Sequence, residues 1–117
     1  MHRWLVPILA ILLAAWALWV LEGARAGVTL TETRYGTTPV TIYEGPDAGQ
    51  PVVIAHGFAG SRQMMQGYAL VLAQAGYVVH AFDFEGHGQN PVPMSGDTDS
   101  ITGTTQNLVD QTRAVMD

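Results

Sequence analysis

The chain contains neither cysteine nor lysine among its 117 residues, and only 13% of it is charged. Without cysteine there is no disulfide framework, no thiol nucleophile and no Cys-ligated zinc. Five arginines stand against ten acidic residues, for a formal charge of −5. Five scattered arginines build no basic patch, so nucleic acid is not expected as a partner. Serine is scarce as well. Ser61, Ser95 and Ser100 are the only three, and none lies in a G-x-S-x-G setting. Neither a dinucleotide-binding G-x-G-x-x-G nor a phosphate-cradling P-loop occurs, and no cofactor is expected.

Charge is also missing from residues 4–21, an uninterrupted run of 18 apolar residues between Arg3 and Glu22. As a helix this run spans roughly 27 Å, close to the hydrocarbon core of a bilayer. Trp4, Trp16 and Trp19 stand near its ends, where indole rings favour the headgroup region. With positive charge on its N-terminal side, the segment is expected to keep the N-terminus cytoplasmic and to export residues 27–117. Two readings stay open. Residues 1–26 are either a single-pass anchor in the cytoplasmic membrane, with the lipid bilayer as partner, or a signal peptide cut after Ala24-Arg25-Ala26.

Residues 27–117 have room for one small domain. Residues 28–35 alternate Val, Leu and Thr with polar residues and read as a strand, and 40–43 as a second strand forming a hairpin with it. Residues 52–55 form a continuous apolar run, the mark of a strand buried on both faces. Ser61 is expected to cap a helix over 62–75, whose apolar stripe is Met65, Tyr68, Ala69, Leu72 and Ala73. Gly76 ends that helix. Residues 77–82 form another strand, 83–103 a long loop, and from about Thr104 a last helix carries Leu108, Thr112, Val115 and Met116 on one face. Strand–helix–strand order implies a right-handed crossover with 52–55 parallel to 77–82. The expected fold class is therefore α/β, a hairpin plus a parallel βαβ unit behind a transmembrane helix.

Three features resemble the N-terminal part of the α/β-hydrolase fold: the strand ending in His56-Gly57-Phe58, the helix after it, and the strand ending in AFDFEGHG at 81–88. The last is similar to the Asp-x-x-Gly-His-Gly run that comes after the fourth strand in serine aminopeptidase-like and monoacylglycerol lipase-like members. The resemblance covers about 28–117 and implies a serine hydrolase of carboxylic esters, or of peptides and amides, working through an acyl-enzyme. Carried over by position, the Phe58 amide is the first oxyanion-hole donor, with Ala59 the weaker candidate. Gly57 is expected to let the backbone turn without a Cβ clash. His56 then shapes the oxyanion loop and is not the general base, while Asp83 and His87 support the loop after the fourth strand. Glu85 departs from the Arg found there in many relatives.

Each of these residues also has a plainer reading. HGFAG fits any tight strand-to-helix turn, His80 fits a hydrogen-bonded histidine on a sheet face, and Met64-Met65 fits core packing. A metal site from His56, His80 and His87 matches no known ligand spacing. In the resembling fold the nucleophile, acid and base all come after the second helix. These 117 residues are thus expected to be inactive alone, truncated before the nucleophile elbow, with 52–55 left as a bare sheet edge. Residues 27–117 alone are expected to be insoluble or molten. The alternative is a non-catalytic, membrane-anchored α/β binding module.

Overall fold

A computed structural model describes residues 2–97 and 99–117. The amino terminus at Met1 and Thr98 of the long loop lie outside the described residues. After a short 3-10 turn, His2–Trp4, the elements are α1 (Leu5–Arg25), β1 (Thr29–Tyr35), β2 (Thr38–Glu44), β3 (Pro51–Ile54), α2 (Gln66–Gln74), β4 (Val78–Phe82) and α3 (Ile101–Met116). The strands form one mixed sheet in the order β1-β2-β4-β3. β1 pairs antiparallel with β2, β2 antiparallel with β4, and β3 parallel with β4. The hairpin and the parallel βαβ unit stand as the sequence pattern requires.

The hairpin closes through two residues, with Tyr35 opposite Thr38. Gly36 takes φ +59° at the first loop position, the place a type II′ turn reserves for glycine. β2 begins two residues earlier than expected and includes Pro39. Pairing with β4 starts only at Val40 opposite Phe82, so the missing Pro39 N–H leaves no gap in that ladder. The Pro39 carbonyl accepts from Asp83 N–H (3.1 Å).

Helices cover both faces of the sheet. On one, α2 packs Ala69, Leu70 and Ala73 against Tyr43, Val79 and Ala81. Small residues let α2 approach closely, and a Cβ on Gly45 would overlap the Ala73 carbonyl. On the other, Leu108 and Val115 of α3 pack against Val40, Phe82 and Phe84. The expected helix stripes need correction at Tyr68 and Met116. Tyr68 is exposed and Leu70 takes its place in the core, because the stripe is set by the start of α2 at Gln66 after a 3-10 lead-in, Arg62–Met65. Met116 is exposed, as is Met64, so Met64 is not core packing.

The 62–75 helix starts differently from its expectation. Ser61 occupies the cap position with extended backbone, but its side chain makes no capping bond. The first free amide, Arg62 N–H, is taken instead by Asp83 Oδ1 (2.7 Å) from the end of β4. A carboxylate from another strand thus replaces the local hydroxyl. The far end obeys the pattern: Gly76 has φ +97°, Tyr77 N–H donates to Leu72 O and Gly76 N–H to Ala73 O, the two bonds of a Schellman motif.

β3 is not buried on both faces. Pro51 is exposed and Val52, Val53 and Ile54 are half-buried, because β3 pairs only with β4 and forms the sheet edge. α3 begins at Ile101, three residues before the expected start, since Ser100 Oγ accepts from Gly103 N–H (3.0 Å) and Asp97 accepts from the Ser100 hydroxyl. α1 buries none of its residues; Gln74 Nε2 donates to Ala24 O (2.7 Å) and ties its C-terminal end to α2.

Candidate active-site loop

β3 delivers the chain to His56 at its C-terminal end, and residues 57–60 turn at once. Gly60 N–H donates to Gly57 O (3.0 Å), and Ala59 takes φ +59°. With the positive φ at the third position, this is a type II turn. Ala59 is the only non-glycine with positive φ among the described residues. That conformation costs an alanine about 1–2 kcal/mol relative to a right-handed one. In the intact enzyme, we expect Ala59→Gly to keep the turn and raise stability by up to about 1 kcal/mol, read from the urea midpoint. Gly57 is not required as expected: a Cβ there meets nothing within 4 Å. The constrained glycine is Gly60, whose added Cβ would lie 2.9 Å from Gly57 O and 3.2 Å from His56 Nδ1.

His56 is buried, and both ring nitrogens are engaged. Phe84 N–H donates to Nε2 (3.2 Å), so Nε2 carries no proton. Nδ1, 2.7 Å from Gly57 O, is then the protonated nitrogen and donates to that carbonyl. The ring also meets Phe84 edge-on at 5.0 Å. His56 thereby joins the turn after β3 to the segment after β4, with no nitrogen left for a proton transfer. The Phe58 ring is 78% exposed and meets His87 edge-on at 5.5 Å. Its backbone N–H finds no acceptor among the described residues. His87 Nδ1 bonds Glu85 O (2.9 Å), and its ring lies 5.3 Å from that of His56.

Asp83 is fully buried. Its Oδ1 accepts from Arg62 N–H, and its Oδ2 accepts from Gln89 N–H (2.9 Å) and from the Arg62 guanidinium. Arg62, 4% exposed, also donates to Thr41 Oγ1 (3.0 Å), Glu32 Oε2 (2.9 Å) and Gln89 Oε1 (2.9 Å). One buried ion pair therefore locks β1, β2, the start of α2 and the loop after β4 together. Sequence reasoning missed Arg62. The available signal is that Arg62 opens a stretch, 63–82, with no Asp, Glu, Lys or Arg, and that Asp83 closes it. Glu85, the departure from the related pattern, accepts from the Ser95 hydroxyl (2.7 Å) and pins the same loop.

Burial pushes the Arg62 pKa down, but its bonds to Glu32 and Asp83 more than restore it, leaving a permanent cation. The bond from Arg62 holds the Glu32 carboxyl below its ordinary 4.5, against a smaller opposing push from partial burial. A depressed carboxylate stabilises the fold above its unfolded pKa, and that contribution disappears as pH falls through the folded value. Glu32 is 65% exposed, so solvent screening limits it to no more than about 1 kcal/mol. We expect Glu32→Gln to reduce the loss of thermal midpoint between pH 7 and pH 3 by roughly 4 °C or less.

His80, half-buried on the sheet face, bonds Tyr35 Oη through Nδ1 (2.8 Å). No group of three His, Cys, Asp or Glu side chains able to hold a metal occurs among the described residues. Nor does any serine hydroxyl there bond a histidine nitrogen. Ser100 caps α3 and Ser95 bonds Glu85.

The profile of the family described as "Serine aminopeptidase, S33" matches residues 46–117, more than half of the chain. The chain belongs to this α/β-hydrolase family. Among curated proteins, this S33-family chain is 38% identical over 83 residues to a Synechocystis sp. protein assigned as a non-heme chloroperoxidase, covering 70% of the chain and 30% of that protein. Among solved structures it is similar to a protein of Acinetobacter baumannii assigned as a lipase, with 24% identity and a TM-score of 0.49, covering 84% of the chain and 32% of that structure. A Klebsiella pneumoniae protein assigned as an epoxide hydrolase gives 27% identity and a TM-score of 0.45, covering 77% and 32%. The chain thus spans about a third of the length of the relatives it matches.

Proposed function

We propose that this chain supplies the oxyanion loop of a membrane-anchored, exported serine hydrolase acting on carboxylic esters, with peptides and amides as the next substrate class. The observation that carries the reading is the Phe58 N–H. Among the described residues it has no acceptor; it stands just past the C-terminal end of β3, in a turn fixed by His56 and by the Gly60–Gly57 bond. A serine hydroxyl supplied from outside these 117 residues adds to the ester carbonyl. The carbonyl oxygen becomes an oxyanion, and Phe58 N–H is one of the two donors that hold it. Collapse of the tetrahedral species expels the alcohol with the proton taken from serine, leaving an acyl-serine that water cleaves. His56, Asp83 and His87 are positioning residues in this scheme, and Arg62 joins them.

The turn geometry allows a direct test. Phe58 occupies the second position of a type II turn, where proline fits without strain. In the intact enzyme, Phe58→Pro removes the N–H and keeps the turn, and Phe58→Ala keeps the N–H and removes the ring. We expect the proline variant to lose about 10²–10³ in kcat for a p-nitrophenyl ester, with an unchanged circular dichroism spectrum. The alanine variant should stay within several-fold of wild type. A proline variant with wild-type kcat contradicts the assignment.

A further inference from the structure

α2 is an outer helix whose solvent side carries no charge. Tyr68 and Val71 stand there one turn apart, 69 and 66% exposed, and Met64 in the 3-10 lead-in just before α2 is 66% exposed. They belong to the stretch 63–82, which contains no Asp, Glu, Lys or Arg. The solvent side of an amphipathic helix ordinarily carries charged and polar residues, and isolated exposed apolar residues need no explanation. Two on a charge-free helix, with a third in its lead-in, do.

The same helix touches the end of α1. Leu18 and Leu21 of α1, with the charged Glu22 and Arg25 beyond them, line a groove with Leu70 and Val71 of α2. Gln74 of α2 holds the Ala24 carbonyl just beyond. Leu18 and Leu21 are the last leucines of the 18-residue apolar run, at the depth where hydrocarbon gives way to headgroups when such a helix crosses a bilayer. α2 is therefore joined to α1 at headgroup depth. Elsewhere the chain is acidic, ten carboxylates against five arginines, and an anionic leaflet repels it. The α2 face is free of that repulsion, and the tyrosine ring with its polar tip suits the headgroup layer.

We propose that Tyr68 and Val71, with Met64 just before them, seat α2 in the headgroup layer of the bilayer that α1 crosses, so that the domain lies on the membrane in one fixed orientation. The proposal rests on reading α1 as an uncleaved anchor.

The absence of cysteine makes the test clean. Leu12→Cys, Tyr68→Cys, Val71→Cys and Asp110→Cys each introduce a single thiol at an exposed position, and Asp110 lies on α3, across the sheet from α2. Each variant is made in the complete reading-frame product, with any cysteine outside these residues replaced by serine, labelled with an environment-sensitive fluorophore and reconstituted in vesicles of phosphatidylcholine and phosphatidylglycerol. Circular dichroism checks the fold. Labels at 68 and 71 should lose at least half their emission to a headgroup-level nitroxide lipid and be several-fold less quenched by aqueous iodide than the label at 110. The label at 12 should respond to an acyl-chain nitroxide. Quenching at 12 without quenching at 68 and 71 overturns the docking and leaves the anchor standing. No quenching at 12 overturns both. Labels at 68 and 71 that iodide cannot reach and lipid nitroxide does not quench mean that protein covers the face, which also overturns the docking.

Discussion

Asp83→Ala should cost about 3–5 kcal/mol and leave the domain with little or no cooperative unfolding transition. The size reflects the groups stranded by the change. Arg62 keeps its charge, stays buried, and loses its only fully buried counter-ion. Glu32 remains as a partner, but it is 65% exposed and cannot compensate. The start of α2 also loses the acceptor of Arg62 N–H, and the loop after β4 loses that of Gln89 N–H. A complete native domain has roughly 5–15 kcal/mol in total, so the variant loses a large part of it. Urea denaturation of the intact enzyme that contains this chain, monitored by circular dichroism, reads the effect. Glu32→Ala is the control and should cost less than about 1 kcal/mol. Replacing both partners, Arg62→Met with Asp83→Leu, should cost less than Asp83→Ala alone, because no buried charge is then stranded.

Gly88→Ala attacks the same cluster from its other side. A Cβ at Gly88 would overlap the Asp83 carboxylate, and Gly88 has φ +53°, where a side chain is strained whatever the space. The two effects together should cost about 3 kcal/mol or more. Gly57→Ala is the matched control. Its added methyl meets nothing, and the change should stay within about 1 kcal/mol. If the two variants unfold at the same urea concentration, the packing of Gly88 against Asp83 does not hold the loop.

The sheet was legible because strand patterning and glycine punctuation are local signals. The hairpin, the βαβ unit and the Gly76 stop all come from residues next to one another. Ser61 was misread for the opposite reason. The group that takes the first amide of its helix is Asp83, 22 positions on, and no local pattern separates a serine that caps from one displaced by a distant carboxylate. Tyr68 and Leu70 exchanged places because a 3-10 turn advances the chain about 120° per residue where an α-helix advances about 100°, rotating the stripe after it. The motifs put His56 and Phe58 after β3 and Asp83 and His87 after β4, where they stand. The division of labour between Gly57 and Gly60 could not be read that way, since it depends on how closely Gly60 approaches the His56 ring. Arg62 had no motif at all. Its partners come from β1, β2 and the loop after β4, and only the closed sheet brings them together.

The central claim is that the chain provides an oxyanion donor to a serine located outside residues 1–117. Labelling with a fluorophosphonate probe and then peptide mapping tests it most directly. The 117-residue chain should take no label. The product of the complete reading frame should be labelled on one serine in a G-x-S-x-G setting outside these residues. Label on Ser61, Ser95 or Ser100, or a complete, folded product that takes none, would contradict the account.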